Sequence, residues 1–217
     1  YVAKKLANIN SETRTDDLTT EQDPDPDSPE PGRADHAVWI TDEQHHFDHN
    51  IEDARWAKAL TASRKHCTSL ADRMVRHLCP QATAKLDISV LWTDDQHIAA
   101  LNSQFRQKSG PTNILSFPSG EPVSWQADQL FLGDLVLGYE TVTTEADDMG
   151  KPVSHHIAHL LLHGLLHLAG YDHIDDDEAA EMEAIETSLL AAVGIPDPYA
   201  DISPSDGKTG PDRSLLT

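Results

Sequence analysis

Residues 163–173 read HGLLHLAGYDH, and this stretch predicts the central element of the fold. His163 and His167 are four residues apart, so on a helix both imidazoles lie on one face, about 6 Å apart along the axis. Gly170 follows three residues later, and a glycine at this point commonly ends a helix and lets the chain turn back. His173 can then reach the same pair. The spacing therefore predicts a site of three imidazoles with a fourth position left for water, as in catalytic zinc sites.

Three more histidines precede this stretch in the same predicted helix, residues 152–168. His155 and His159 continue the four-residue interval, so any adjacent pair along the stripe could bind a metal. The position of His173 favours the last pair, because it would have to cross one or two further turns to reach His159 or His155. We therefore assign His155, His156 and His159 to helix packing or to the support of a ligand, and His159 is the first candidate to face the site.

The spacing H-x-x-x-H-x-x-G-x-x-H is also that of the metzincin peptidases. Those enzymes need a glutamate directly after the first histidine as the general base. This chain has Gly164 there. An atypical metallopeptidase is thus an alternative, although the chain has no glutamate at this position to accept a proton from a metal-bound water.

The acidic charge limits how the protein can bind nucleic acid. The net charge is −21, and residues 37–196 carry ten basic and 24 acidic side chains, a net of −14. This charge argues against a broad basic surface, so the phosphates of any nucleic acid would have to be bound locally, by a metal and a few placed cations. No run approaches the roughly 20 apolar residues of a membrane span, and the N-terminus lacks the order of a secretory signal. We expect a cytoplasmic protein without a membrane partner.

The apolar pattern predicts an α+β domain with a small mixed β-sheet packed with helices around a central zinc-bearing helix. Strands are predicted at residues 37–41, 85–92, 113–117 and 130–139. Helices are predicted at residues 52–78, from residue 93 or 94 onward, and at 140–148, 152–168 and 175–193. The domain spans residues 37–196. Residues 1–36 are predicted to form a disordered acidic N-terminal tail, and residues 197–217 a flexible C-terminal tail.

The block 163–173 matches the motif H-G-x-L-H-L-x-G-Y-D-H at every fixed position, and on this block the chain resembles the YbeY family of bacterial endoribonucleases. Similar residues lie on both sides of the block, at 101–102 (Leu-Asn), Arg106, 112–118 (TNILSFP), 133–134 (Gly-Asp), 174–178, 182–183 and Glu186. The resemblance covers about residues 37–200 and leaves the acidic N-terminal tail unexplained.

The resemblance implies one zinc ion per chain held by His163, His167 and His173, with Arg106 and His163 as catalytic residues. It implies single-strand-specific endoribonuclease activity in small-subunit rRNA maturation and ribosome quality control, with single-stranded RNA and ribosomal proteins as partners and no DNA. A guanidinium fork fits two phosphate oxygens, which agrees with such a role for Arg106. The alternative from another class is a non-catalytic ribosome-assembly factor with a structural zinc.

Several polar residues near these motifs have supporting interpretations. Lys108 could assist Arg106 with phosphate. Asp134 lies inside an apolar run, where a buried carboxylate must be paired, so it is structural or orients a ligand histidine. Asp172 suits capping as readily as catalysis, and Tyr171 suits packing better than base stacking. The acidic residues from 175 to 186 are interpreted as the solvated face of the last helix.

Overall fold

The computed structural model of the chain describes residues 40–41 and 45–200, so the predicted tail 1–36 and residues 201–217 lie outside the described residues. The strands of the described part are β1 Ile40–Thr41, β2 His46–Ile51, β3 Lys85–Thr93, β4 Ile114–Pro118 and β5 Gln129–Gly138. Its α-helices are α1 Trp56–Leu78, α2 Asp95–Leu101, α3 Tyr139–Asp148, α4 Val153–Leu168 and α5 Asp176–Ala191.

The strands of the described part form one mixed sheet in the order β1-β2-β3-β5-β4. The β2, β3 and β5 strands are parallel, whereas β1 and β4 pair antiparallel with their neighbours at the two edges. Parallel strands are usually buried on both faces and read as apolar runs. β5 is mostly apolar, whereas β3 alternates at Asp87 and Ser89 before its buried end. The predicted α+β class with a small mixed sheet is confirmed.

Helix α4 lies at the centre of the packing. All residues from His156 to Leu166 are buried, and the helix contacts β4 and β5 on one side and α1, α3 and α5 on the others. A helix enclosed in this way is buried on every face, and apart from its stripe of histidines it is apolar. The predicted central helix is confirmed.

Strand β2 was not predicted, because one of its two inward positions is polar. Phe47 and His49 face the core, and His49 is 4% exposed. Trp92 Nε1 on β3 donates a hydrogen bond to His49 Nδ1 at 2.8 Å, which allows the imidazole to be buried there. A histidine at an inward position conceals the alternation that otherwise identifies a strand.

Helix α2 continues into a π-helical turn, Asn102–Arg106, which the apolar spacing did not predict. The amide of Gln107 donates to the carbonyl of Asn102, and Gln107 has a positive φ of 58°. Such a turn winds more widely than an α-helix. Phe105, which continues the helical spacing of the buried Ile98, is therefore 44% exposed. None of the described helices has the length and apolar character that crossing a bilayer requires.

Candidate metal centre

The imidazoles of His163, His167 and His173 converge, and we call them the three-histidine cluster. One ring nitrogen from each lies within 4.8 Å of the others. The Nε2 atoms of His163 and His167 are 3.0 Å apart, and the ring of His173 lies 5.5 Å and 5.0 Å from theirs, centroid to centroid. Three imidazole donors at one point form a group that could hold a metal ion.

The end of α4 brings the third histidine to the first two. Gly170 has a φ of +99°. The amide of Gly170 donates to the carbonyl of His167 at 3.0 Å, and the amide of Tyr171 donates to the carbonyl of Leu166 at 3.0 Å. These two bonds form a Schellman motif, which reverses the chain after the helix. The predicted role of Gly170 as the helix end is confirmed, and His173 follows three residues later.

Glu186 on α5 is the main residue that the sequence interpretation assigned wrongly. It was grouped with the solvated acidic face of the last helix, but its side chain is 0% exposed. Its Oε1 accepts a hydrogen bond from His163 Nδ1 at 2.8 Å, and its Oε2 accepts one from His159 Nε2 at 2.9 Å. Met182, one turn earlier, is also buried, so the apolar stripe of α5 was the signal that could have placed Glu186 inside.

These partners assign the protons of two cluster histidines. A carboxylate only accepts, so His163 carries a proton on Nδ1 and directs its Nε2 into the cluster. His167 donates Nδ1–H to the carbonyl of Tyr171 at 2.9 Å and also turns its Nε2 lone pair inward. The two Nε2 atoms lie 3.0 Å apart, and when both imidazoles are neutral with Nδ1 protonated, both Nε2 lone pairs are available to one cation between them. The donor set therefore fits a transition metal, and a hydrogen bond to the outer nitrogen is the usual way such ligands are oriented.

Burial and charge set the protonation of the surrounding groups. Burial raises the pKa of Glu186, but the hydrogen bonds from His159 and His163 outweigh it and hold this pKa well below the ordinary value. Burial lowers the pKa of His159. Burial, together with the proximity of His163, lowers the pKa of His167 to about 4. At neutral pH His167 is thus in the neutral form that a metal needs.

An open cleft of about 90 Å³ lies beside the cluster. His163 and His173 line it, and Asp175, Asp176 and Glu183 contribute negative charge to the same cleft. Substrate phosphates entering here would meet these carboxylates as well as the histidines. A bound cation would offset part of this repulsion.

Tyr199 also reaches the cleft, although residues 197–217 were predicted to be a flexible tail. Its hydroxyl donates to Glu186 Oε2, and its ring packs edge-on against His159 at a centroid distance of 5.5 Å. Burial and the neighbouring Glu186 carboxylate raise the pKa of Tyr199, so its hydroxyl keeps the proton that it donates. For residues 197–200 the structure thus differs from the prediction. A single tyrosine in a Pro- and Asp-rich stretch gave no periodic signal.

Arg106 lies at the end of the π-helical turn and is exposed. Its Nη2 donates to the carbonyl of Ser116 on β4 at 3.3 Å. Ser116 Oγ in turn lies 3.2 Å from the point where a side chain on Gly164 would begin. Arg106 is therefore connected through β4 to the helix that carries the cluster, with its guanidinium at the protein surface.

Gly164 explains why the metzincin glutamate is missing. A Cβ at this position would lie 2.7 Å from Leu135 Cδ2 and 2.8 Å from Ile114 Cδ1. The position therefore faces the sheet at close range and leaves no room for a side chain. This finding removes the structural basis for a peptidase-type general base.

The remaining predicted residues fall into packing positions or on the surface. His155 packs edge-on against His66 of α1, and His156 Nε2 lies 2.8 Å from the Glu145 carboxylate of α3, so both hold helices together. Asp134 is 4% exposed within β5. In the loop regions, Lys108 is exposed, Asp172 Oδ1 accepts from the amide of His173, and Tyr171 packs against the core.

The fold and the cluster together define an α+β protein with a three-histidine site of the kind that holds a transition metal. Residues 50–194, more than half of the chain, match the family model described as Endoribonuclease YbeY. The chain therefore belongs to the YbeY endoribonuclease family.

Curated relatives carry the name Endoribonuclease YbeY. The relative from Rhodopseudomonas palustris is 52% identical over 119 residues, which cover 54% of this chain and 63% of that protein. The one from Bradyrhizobium diazoefficiens is 51% identical over 121 residues, 54% of this chain and 66% of that protein. The one from Paramagnetospirillum magneticum is 44% identical over 150 residues, 67% of this chain and 90% of that protein. The chain thus spans just under two thirds of the first two relatives and most of the third.

Proposed function

We propose that the protein is a single-strand-specific, zinc-dependent endoribonuclease in small-subunit rRNA maturation and ribosome quality control. The observation that carries the proposal is the convergence of three imidazoles, in which the Nε2 atoms of His163 and His167 approach to 3.0 Å while both Nδ1 atoms are hydrogen-bonded outward. The names of the curated relatives support the RNA substrate. Ribosomal proteins are proposed partners, and the cytoplasm is the proposed location.

In this proposal His163, His167 and His173 hold one zinc ion. When bound at such a site, zinc supplies Lewis acidity and an activated water at neutral pH. Glu186 keeps the His163 imidazole in the tautomer that ligates, and the carbonyl of Tyr171 does the same for His167. His163 is thus both a ligand and a catalytic residue, because its orientation sets the position of the reacting centre.

Arg106 is the proposed partner of the RNA phosphate. Its guanidinium is exposed and ends a π-helical turn, a distortion that is frequent at functional sites. The forked donors fit two phosphate oxygens and can stabilise the charge that develops in phosphodiester cleavage. Because residues 37–196 carry a net charge of −14, few other phosphate contacts are expected, and the salt dependence of cleavage should be shallow.

Single-turnover cleavage of a labelled single-stranded RNA tests the proposal. Wild type should cleave when loaded with zinc and stop when stripped. Arg106→Ala should lower the rate by about 100-fold or more at equal zinc content, as expected when a partner of transition-state charge is removed. Arg106→Lys should rescue poorly, since it keeps the charge without the fork.

The matched control is Arg76→Ala, an exposed arginine on α1 whose partner is Asp72 one turn away. It should cleave like wild type. The Arg106→Ala preparation also reports any contaminating ribonuclease. Equal rates in all variants would remove Arg106 from the mechanism. Absence of cleavage by zinc-loaded wild type would favour the ribosome-assembly factor with a structural zinc.

A further inference from the structure

The C-terminal segment, residues 197–200, is tied to the three-histidine cluster through one buried carboxylate. We infer that Tyr199 is a positioning residue for the metal site, acting through Glu186, and that metal binding and docking of the C-terminal segment stabilise each other. The inference rests on the metal-binding part of the proposed function and does not depend on the RNA substrate.

The two oxygens of Glu186 have different tasks. Oε1 accepts from His163 Nδ1, a cluster histidine, whereas Oε2 accepts from His159 Nε2 and from the Tyr199 hydroxyl. Two donors on Oε2 fix the plane of the carboxylate and therefore the direction in which Oε1 points. Without the Tyr199 hydroxyl, His159 alone would hold Oε2. The carboxylate could then rotate about its last bond and tilt the His163 ring.

Tyr199 is held in place by contacts of its own segment. Asp197 Oδ1 accepts from the Tyr199 amide at 2.9 Å and from Thr187 Oγ1 of α5 at 3.2 Å. Lys151, in the loop before α4, donates Nζ to the carbonyl of Pro198 at 2.7 Å. The segment is thus anchored at two further points, Asp197 and Pro198, which directly precede the tyrosine. These anchors make the hydroxyl a fixed donor.

Tyr199 also closes the side of the cleft next to Glu186. Both residues line the cleft beside His163, and Glu186 is 0% exposed with the tyrosine present. Removing the phenol would open the carboxylate to water, which weakens its electrostatic effect on His163. The ring and the hydroxyl therefore contribute separately, by exclusion of water and by a hydrogen bond.

Coupling of this kind is reciprocal. If the docked segment increases metal affinity, a bound metal must stabilise the docked segment by the same free energy. Metal binding should therefore slow hydrogen exchange in residues 197–200. If Tyr199 had a purely structural role, the exchange rate of these residues would be the same with and without metal.

The experiment measures Zn²⁺ affinity of the full chain by competition with a chromogenic chelator. Tyr199→Phe keeps the ring and removes the hydroxyl, and it should bind Zn²⁺ about 10-fold more weakly, the lower end of the range for partners of metal ligands. Tyr139→Phe is the control, because that ring packs against Trp56 and Arg55 of another part of the protein. It should bind as wild type does.

Amide exchange of residues 197–200 in wild type, with and without Zn²⁺, is the second measurement. Slower exchange with Zn²⁺ in wild type and a smaller effect in Tyr199→Phe are expected. Equal Zn²⁺ affinity of wild type and Tyr199→Phe, or exchange that ignores Zn²⁺, would overturn the inference. A wild type that binds no Zn²⁺ would overturn it too, whereas tight binding without RNA cleavage would count only against the proposed function.

Discussion

Replacing Glu186 with glutamine tests how strongly one buried carboxylate controls the metal site. The amide has nearly the same shape and keeps one oxygen that can accept from His163 Nδ1. The bond to His163 changes from charge-assisted to neutral, a loss of about 1 kcal/mol, and the negative charge beside the ligand is lost as well. Because about 1.4 kcal/mol of binding free energy corresponds to a factor of ten in affinity, we expect Zn²⁺ to bind about 10 to 100-fold more weakly to Glu186→Gln.

The fold should survive this change. Glutamine has the same volume, and the Tyr199 hydroxyl can accept a hydrogen bond from the new amide as well as donate one. Thermal melting of the metal-free variant should thus stay within a few degrees of metal-free wild type, whereas the extra stability that Zn²⁺ gives to wild type should shrink in the variant.

Chelator competition measures the affinity, and Glu181→Gln supplies the control. Glu181 lies on the same helix and loses the same charge, but it is exposed. Long-range loss of charge would weaken both variants equally. Equal affinity in Glu186→Gln and wild type would refute the view that this carboxylate supports His163, even though the hydrogen bond is present.

Three further changes test separate parts of the structure. His167→Ala should abolish stoichiometric metal in elemental analysis while the exposed His77→Ala on α1 retains it, and retention in both would reassign the ligands. Gly164→Glu should lower the free energy of unfolding by about 3 kcal/mol or more, and so unfold at a lower denaturant concentration, because the carboxylate would be forced against the sheet. A stable variant with peptidase activity would contradict this. His97→Gln tests a pH-dependent pair. The hydrogen bond with Glu52 raises the pKa of His97 and contributes stability that is fully present below the unfolded value of 6.5 and lost as the pH rises through the raised value. The lower pH limit of this stabilisation is set by Glu52, whose pKa the same bond lowers from 4.5. Because Glu52 is 38% exposed, His97→Gln should lower the free energy of unfolding by under about 1 kcal/mol near pH 6 and leave it unchanged near pH 9 in denaturant titrations. A difference that does not depend on pH would rule the pair out.

The parts of the site that the sequence predicted are those set by local geometry. The interval between His163 and His167 fixes one helix face, and Gly170 fixes where the helix ends, so the return of His173 follows from fewer than a dozen residues. No knowledge of the rest of the fold is needed for this. The central helix was predictable for a related reason, since its apolar residues leave no face for solvent.

The parts that were missed depend on contacts between distant segments. Glu186 is 23 residues from His163, and Tyr199 is 40 residues from His159. Neither distance leaves a pattern in one sequence, because an acidic residue on a helix is solvated far more often than buried. Strand β2 was missed because His49 is buried through a partner, Trp92, that is 43 residues away.

The net charge and the buried charge of this protein have different consequences. Most exposed carboxylates that make the chain acidic are screened over about 8 to 10 Å at ordinary ionic strength, so beyond that range they weaken the approach of RNA more than they affect the cluster. Glu186 is a single charge, but it is 0% exposed and lies 2.8 Å from the His163 ring nitrogen, where screening is small. Glu186 therefore acts on the candidate metal site at nearly full strength, and it does so by favouring a cation. An acidic surface that disfavours RNA and a buried carboxylate that favours a metal are thus compatible in one domain.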